Sequence, residues 1–324
     1  MIVSTPAGAA LFALAGGDGT MRRRALEGRH VSHAVARGAV ILAGTLDGIF
    51  RSADGGATWA EASDGLAHRH VRWMAMHPDV AGLALAGTEP AAIFVSRDDG
   101  LTWVDRPEVE VLREAHGWFL PYSPEAGCVR GFALRGERGY AAVEVGGVLR
   151  SDDAGGSWRL AGGSAGEPTF GDPGRGRVAA DVHSVALGPA SAEVVYAATD
   201  SGTYRSADGG ESWSLLMPGY TRAVWPDPAD GQHLVAGPAD EVDRGGTVVE
   251  TRDGGRTWSP ATDGLDTPWP ETMVERLTAT DDLLVAVLAD GRAYVSPRAA
   301  GIAWRPFLPE VPAVNAVEVV RTGP

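Results

Sequence analysis

Ser52-Ala-Asp54-Gly-Gly56-Ala-Thr58-Trp59 recurs four more times along the chain, at Ser96–Trp103, Ser151–Trp158, Ser206–Trp213 and Thr251–Trp258. The shared form is S/T-x-D-x-G-x-S/T-W. A worn sixth copy, one residue longer, runs from Ser296 to Trp304. The pattern has a direct physical reading. An Asp carboxylate accepts hydrogen bonds from the N–H groups of its own turn. Glycine two residues later supplies a positive φ. Ser/Thr and Trp then re-enter a strand, with the indole as a packing plug. Five intact copies exclude chance and predict a repeat architecture.

The motif resembles the Asp-box, or BNR, repeat of sialidases, sortilin-type receptors and photosystem II assembly factors. That resemblance implies an all-β fold in which each copy is the turn between the third and fourth strands of a propeller blade. Asp54, Asp98, Asp153, Asp208 and Asp253 are then turn formers rather than catalysts. A second repeat gives the blade count. Short strands with an alternating apolar tail begin near residues 30, 70, 128, 181, 220, 273 and 313. They open His30-Val-Ser32, His70-Val-Arg72, Cys128-Val-Arg130, Asp181-Val-His183, Tyr220-Thr-Arg222, Met273-Val-Glu275 and Ala313-Val-Asn315. Seven copies predict a seven-bladed β-propeller of four-stranded blades, with residues 1–324 forming one domain. The seventh inner strand has no outer strands after it. Met1–Ser4, Leu11–Ala15 and Thr20–Ala25 supply them, so one blade combines N-terminal and C-terminal strands and closes the ring. Closure removes sheet edges that would otherwise pair with other chains. The second strands align as Leu42–Thr45, Leu85–Thr88, Tyr196–Thr199 and Tyr140–Glu144, the last ending on Glu144 where the others have threonine.

Composition narrows the partners. The 324 residues carry 28 basic and 42 acidic groups, a formal charge of −14. Nucleic acid and anionic membrane surfaces need a basic face and are disfavoured. Every basic residue is arginine, so Schiff-base and P-loop lysine chemistry is excluded. Cys128 is the one cysteine, which rules out an intrachain disulfide and fits a reducing compartment. The apolar start lacks a basic leader and no apolar run reaches ~18 residues. A cytoplasmic protein is expected.

Loop lengths predict which face carries function. The connections Val104–Gly127, Arg159–Ala180 and Ser259–Thr272, and the loop Ala239–Gly246, are long and fall on one side. On that side the third residues of the inner strands form a polar ring: Ser32, Arg72, Arg130, His183, Arg222, Glu275 and Asn315. Clustered guanidiniums need counter-charge, and arginine forks match carboxylate and phosphate geometry. Two readings follow. The mouth holds a small anionic molecule on Arg72, Arg130 and Arg222, helped by His70, Asn315, His116 and Trp118. Otherwise the arginines pair with Glu144, Asp181 and Glu275 in a network that seals the channel. The 104–127 insertion, with Glu114, His116, Trp118 and Tyr122, is expected to fold over the mouth. Glu144, Asp181, His183, Tyr220 and Glu275 are the candidate catalytic groups. No motif requires a cofactor. A divalent metal on His70, Asp181 and His183 is the weaker alternative, since Asp-x-His puts both side chains on one strand face. His68 and His77 read as surface or turn residues, Cys128 as core, and Trp73, Phe132 and Trp225 as packing between blades.

Three functions stay open. The first is an enzyme of hydrolase or lyase type acting on an anionic or sugar-like substrate. The second is a non-catalytic assembly factor docking a protein partner through the same arginines, as the photosystem II factors do. The third is carried by the sialidase resemblance: Arg72, Arg130 and Arg222 as the carboxylate clamp, Tyr220 with a nearby glutamate as nucleophile pair, Asp181 as acid. Sialidases have six blades and an Arg-Ile-Pro motif. This chain has seven inner-strand copies and no such motif.

Overall fold

Strand-forming segments of two to eight residues separated by turns, many of them built on glycine, give seven four-stranded antiparallel sheets. The structure is a computed structural model. It describes all residues except 16–17, 124–125, 299–300, 312 and 319–324, and only the backbone of 14, 15 and 18. Part of the sixth turn copy therefore lies outside the described residues. The inner strands are Val31–Arg37, Val71–Met76, Cys128–Arg135, Val182–Leu187, Tyr220–Pro226, Val274–Ala279 and Ala316–Glu318. Each starts at or within three residues of its expected position. Closure is also as expected. Ala316–Glu318 pairs with Ile2–Thr5, in the register Val3 to Val317, and Gly8–Ala15 and Asp18–Ala25 complete that blade. No helix among the described residues is long and apolar enough to cross a membrane.

Second strands are sandwiched between neighbouring blades, so both their faces are apolar. Tyr140, Ala141, Ala142 and Val143 are all fully buried. The glycine of Leu-Ala-Gly-Thr follows from this packing. A Cβ on Gly87 would lie 2.5 Å from Val129 Cγ1 of the next blade, and one on Gly44 2.5 Å from Val71 Cγ1. Core clusters therefore straddle blade boundaries. Leu85, Ile93 and Val95 of the second blade pack with Val129, Ala141 and Leu149 of the third.

The five Asp turns have the expected hydrogen bonding. Asp98 Oδ1 accepts from Leu101 N–H and Thr102 N–H at 3.0 Å, and from Ser96 Oγ at 2.7 Å. Its Oδ2 accepts from Thr102 Oγ1 at 2.6 Å. Gly100, two residues on, has φ 81°. Trp103, Trp158 and Trp213 are buried, whereas Trp59 and Trp258 are half-buried. All five turns join third strands to fourth strands.

Two expectations need correction. The long connections are shorter than expected, because Val104–Asp105, Arg159–Leu160 and Ser259–Pro260 are the outer strands of their blades. The helical part of the 104–127 insertion packs against the propeller and not over the mouth, and only Tyr122 and Ser123 near its end reach the mouth, at Glu144 and Glu89. Pro107–His116 forms helix α1, which starts on proline and ends at Gly117 in the left-handed region. It buries Val109 and Arg113 against the propeller, and Glu108 accepts the Trp158 N–H at 2.9 Å. Trp118 is a core plug, its indole donating to Gly166 O at 2.7 Å.

One irregularity positions the site. Six inner strands change register at the same place: between Val31 and His33, Val71 and Trp73, Val129 and Gly131, Val182 and Ser184, Thr221 and Val224, and Val274 and Arg276. A bulge inserts one residue without a ladder partner and re-aims its side chain. The inserted positions hold Ser32, Arg72, Arg130, His183, Arg222 and Glu275. Six of the seven ring positions are thus bulge residues, and the seventh, Asn315, precedes the strand Ala316–Glu318.

Candidate functional site

The ring arginines are already paired. Arg72 Nη1 donates to Glu89 Oε2 at 2.7 Å. Arg130 bridges Glu144, at 3.1 Å, and Glu275. Arg222 bridges Glu275, at 2.9 Å, and Asp243, at 2.6 Å. Glu144, Arg130, Glu275, Arg222 and Asp243 therefore form one chain of alternating charge across the mouth. This is the sealed-network arrangement, with two changes of partner. Asp181 pairs with His183, its Oδ2 lying 3.3 Å from Nε2, and not with an arginine. Glu89 and Asp243 take up the remaining guanidiniums.

The network fixes protonation states. Burial opposes ionisation of Glu144, but Arg130, His183 and hydrogen bonds from Tyr122 and Cys128 outweigh it and hold the carboxyl down at about 2. Burial likewise opposes ionisation of Glu275, and Arg130, Arg222 and Arg276 bring it to about 2. Both are carboxylates at neutral pH, so neither is a proton donor. Burial raises Asp200, and the nearby Asp181 carboxylate raises it further. Burial pushes the Cys128 thiol well up, and the thiol donates to Glu144 Oε2. Cys128 is thus a core residue and not a nucleophile. Val145, next to Glu144, holds φ 59°, a region β-branched residues rarely adopt, so the backbone is strained where Glu144 enters the network.

Three cavities line the axial channel. The mouth cavity, about 360 Å³, is bordered by His30, Ser32, His70, Arg72, Glu275 and Asn315. A second, about 150 Å³, lies beneath Arg130, His183 and Arg222. The third, about 240 Å³, opens farther along the strands beside His33, Trp73 and Phe132. Arg276 borders all three. Its guanidinium lies 4.2 Å above the Trp73 ring, and Trp73 stacks on His33 at 4.0 Å. Burial lowers Arg276 to about 10 despite the neighbouring Glu275. Trp73 thus packs against the His33 of the neighbouring blade, as expected, and does so on the channel side of the strands.

Other candidate residues fall as follows. His183 Nδ1 donates to Thr221 O at 2.8 Å, and Nε2 faces Tyr220 OH at 3.2 Å. Tyr220 thus bonds to a histidine and not to a glutamate, so the nucleophile pair implied by the sialidase resemblance is not formed. Asn315 donates to Val31 O at 2.8 Å and meets His30 at 3.3 Å. His70 lies 3.8 Å from Glu89 Oε2, so it does not join Asp181 and His183 as the metal trio anticipated. Glu144 does: its ligand atom and those of Asp181 and His183 lie within 4.8 Å of one another. His116 is half-buried and Glu114 exposed on the α1 side, while Tyr122 reaches Glu144. His77 is fully buried, its Nε2 on Gly136 O at 2.9 Å, not a surface residue.

Glu89, Asp200, Asp243, His30 and Arg276 escaped sequence reasoning. A signal existed for two of them: Glu89 and Asp200 each follow the threonine that ends a second strand. Asp243 sits in the flagged 239–246 loop, at φ 54°. Arg276 had no signal. Strict alternation sends it away from Glu275, and only the bulge brings both into the channel.

No family model and no curated protein matches the chain. Solved structures do. A GH74 enzyme from Niastella koreensis is 16% identical with a TM-score of 0.65, over 93% of this chain and 51% of its own. The GH74 xyloglucanase from Xanthomonas campestris is 18% identical with a TM-score of 0.62, over 93% of this chain and 47% of its own. The chain thus spans about half the length of these enzymes. YCF48 from Cyanidioschyzon merolae is 14% identical with a TM-score of 0.58, over 95% and 91%. At these identities the likeness establishes the propeller fold.

Proposed function

We propose that the channel mouth binds a small, uncharged, polyhydroxylated molecule of the sugar class, without turnover. The mouth cavity of about 360 Å³ carries this reading: its border is dense in donors and acceptors, yet Arg72 and Glu275 are each already ion-paired. An anion approaching Arg72 would have to displace Glu89, held at 2.7 Å, and one approaching Arg276 would meet the Glu275 carboxylate beside it. A hydroxyl meets no such conflict. It donates to a carboxylate or imidazole and accepts from an amide or guanidinium without disturbing either pair. The cavity lies at the lower end of the ~300–1,000 Å³ range of ligand pockets. Hydrolysis needs a proton donor, and Glu275, the glutamate on the cavity's border, is held ionised, so binding fits this lining better than catalysis. The five carboxylate-closed turns support placing the chain among the Asp-box propellers.

The experiment is a thermal-shift panel of neutral mono- and oligosaccharides on the full chain and on His30→Ala. A sugar that raises the melting temperature of the wild type and not of the variant is the expected result. A panel in which no neutral sugar acts sinks the reading. Exposed side chains favour a second reading, a docked protein partner. Phe119, Tyr122, Phe170 and Val242 are 42%, 59%, 55% and 56% exposed, and Phe119 meets Phe170 edge-on at 6.3 Å. They stand in the connections on the mouth side. Solvent-facing aromatics of this kind mark partner surfaces. A Phe119→Ser/Phe170→Ser variant that loses a co-purifying protein but keeps sugar binding assigns the rim to that partner.

A further inference from the structure

We propose that Glu144, Asp181 and His183 form a binding site for one divalent transition cation, of the Zn²⁺ or Mn²⁺ class. The three ligand atoms lie within 4.8 Å of one another. Tetrahedral metal–nitrogen and metal–oxygen bonds of ~2.0–2.2 Å set ligand atoms about 3.4 Å apart. Asp181 Oδ2 and His183 Nε2 are already 3.3 Å apart, and the widest separation closes by up to roughly 1.4 Å. The donors come from two adjacent blades. Glu144 ends a second strand of the third, Asp181 and His183 open the inner strand of the fourth, and the bulge at His183 brings its ring to the other two.

Three independent features point to a cation. The first is an orphan oxygen. Asp181 is 8% exposed, and its Oδ1 is buried with no hydrogen-bond partner among the described residues. An unsatisfied buried carboxylate oxygen is costly unless a ligand completes it. The second is the preset imidazole. His183 Nδ1 faces the Thr221 carbonyl, which only accepts, so Nδ1 carries a proton and Nε2 is the ring atom turned toward Asp181 and available to a metal. A backbone carbonyl behind the distal nitrogen is the arrangement that orients metal-binding histidines. Glu144 is held on the same side: Arg130 and Cys128 occupy its Oε2, and the Tyr122 hydroxyl, which also hydrogen-bonds the carboxylate, has to give way to a metal.

The third is charge. Among the described residues Arg130 and Arg222 ion-pair with Glu144, Glu275 and Asp243, and Arg276 lies beside Glu275, but no guanidinium pairs with Asp181. Three guanidiniums against four carboxylates leave the group net negative, with the uncompensated charge at Asp181. One nitrogen and two oxygen donors suit zinc or manganese better than calcium, which takes six to eight oxygens. Tyr220 OH, now on Nε2, moves off when the metal arrives. The site stands apart from the sugar reading, on the opposite side of the ring from the His30–His70–Asn315 border.

The test uses the full chain stripped with chelator and titrated calorimetrically with Zn²⁺ and Mn²⁺, with Mg²⁺ and Ca²⁺ as controls. The expected result is one equivalent of Zn²⁺ or Mn²⁺, a raised melting temperature, and affinity reduced at least ~100-fold in Asp181→Asn and Glu144→Gln. Metal-free melting of each variant is read alongside. Should a variant fail to fold, Co²⁺ on the wild type decides: one hyperfine-shifted imidazole N–H, from His183 Nδ1–H, is expected. Absence of that resonance, no uptake of Zn²⁺ or Mn²⁺ at millimolar concentration, or unchanged affinity in folded variants overturns the site.

Discussion

Glu275→Gln removes the carboxylate that ties the third and fifth blades together across the channel. Glu275 accepts from Arg130 and, at 2.9 Å, from Arg222, with its side chain 18% exposed. With charge centres ~4 Å apart and an effective dielectric near 20, each pair is worth about 4 kcal/mol of gross attraction. Part of this is offset, because the neutral amide costs less to bury than the carboxylate. Removing one partner of a buried pair commonly costs about 3–5 kcal/mol. Here Arg130 keeps Glu144 and Arg222 keeps Asp243, so the low end applies, roughly 3 kcal/mol. For a chain of this length that corresponds to about 4 °C in melting temperature. The assay is tryptophan fluorescence during scans at one fixed heating rate, since large propellers are prone to irreversible unfolding. Glu61→Gln, which breaks the exposed pair with Arg69, serves as control and leaves the melting temperature unchanged. A double cycle with Arg222→Met should give a coupling of ~1–3 kcal/mol. A Glu275→Gln variant melting within about 1 °C of wild type, or a coupling near zero, refutes the reasoning.

Asp98→Ala removes four hydrogen bonds from its turn and should cost about 2 kcal/mol, read as a fall in melting temperature; an unchanged value contradicts the turn assignment. Gly87→Ala forces a Cβ to 2.5 Å from Val129 Cγ1 and should destabilise by about 1–3 kcal/mol; adding Val129→Ala recovers much of the loss if the clash is the cause. Acid should weaken the ring. Glu144 and Glu275 are held at about 2, below the ordinary carboxylate value, so their stabilisation is complete above about pH 4.5 and lost as pH falls toward 2. Denaturant midpoints between pH 6 and pH 3 should fall more for wild type than for Glu275→Gln, and parallel curves contradict this.

The repeat made the fold legible because its turn chemistry is local. Ser96, Asp98, Gly100 and Thr102 close one turn among themselves, so every copy reports the same blade corner without knowledge of the rest of the ring. Closure was legible because the last inner strand lacks partners and the first three strands lack an inner one. The polar ring was visible as a column of residues, but its charge balance was not. Glu89 and Asp243 reach Arg72 and Arg222 from loops, through separations of 17 and 21 residues that follow no period. The anion-binding expectation came from counting guanidiniums without those partners. The insertion misled for a related reason: aromatic residues suited a lid, but Trp118 found an apolar slot between blades. The bulges were invisible, since alternation in the sequence continues through them, and they decide that Glu275 and Arg276 both face the channel.

The central claim is that the ring arginines Arg72, Arg130 and Arg222 are already held by carboxylates, and that Arg276, the other guanidinium at the mouth, is held between the Asn315 carbonyl and the Trp73 ring beside Glu275. Calorimetry with a matched pair, a neutral oligosaccharide and its uronic-acid counterpart of the same linkage, tests it most directly, at low and at high salt. The account expects the neutral sugar to bind at least as tightly as the acidic one, with little dependence on salt. Tighter binding of the acid that weakens steeply with salt, and weakens further in Arg72→Met, would show that the guanidiniums remain available and contradict it.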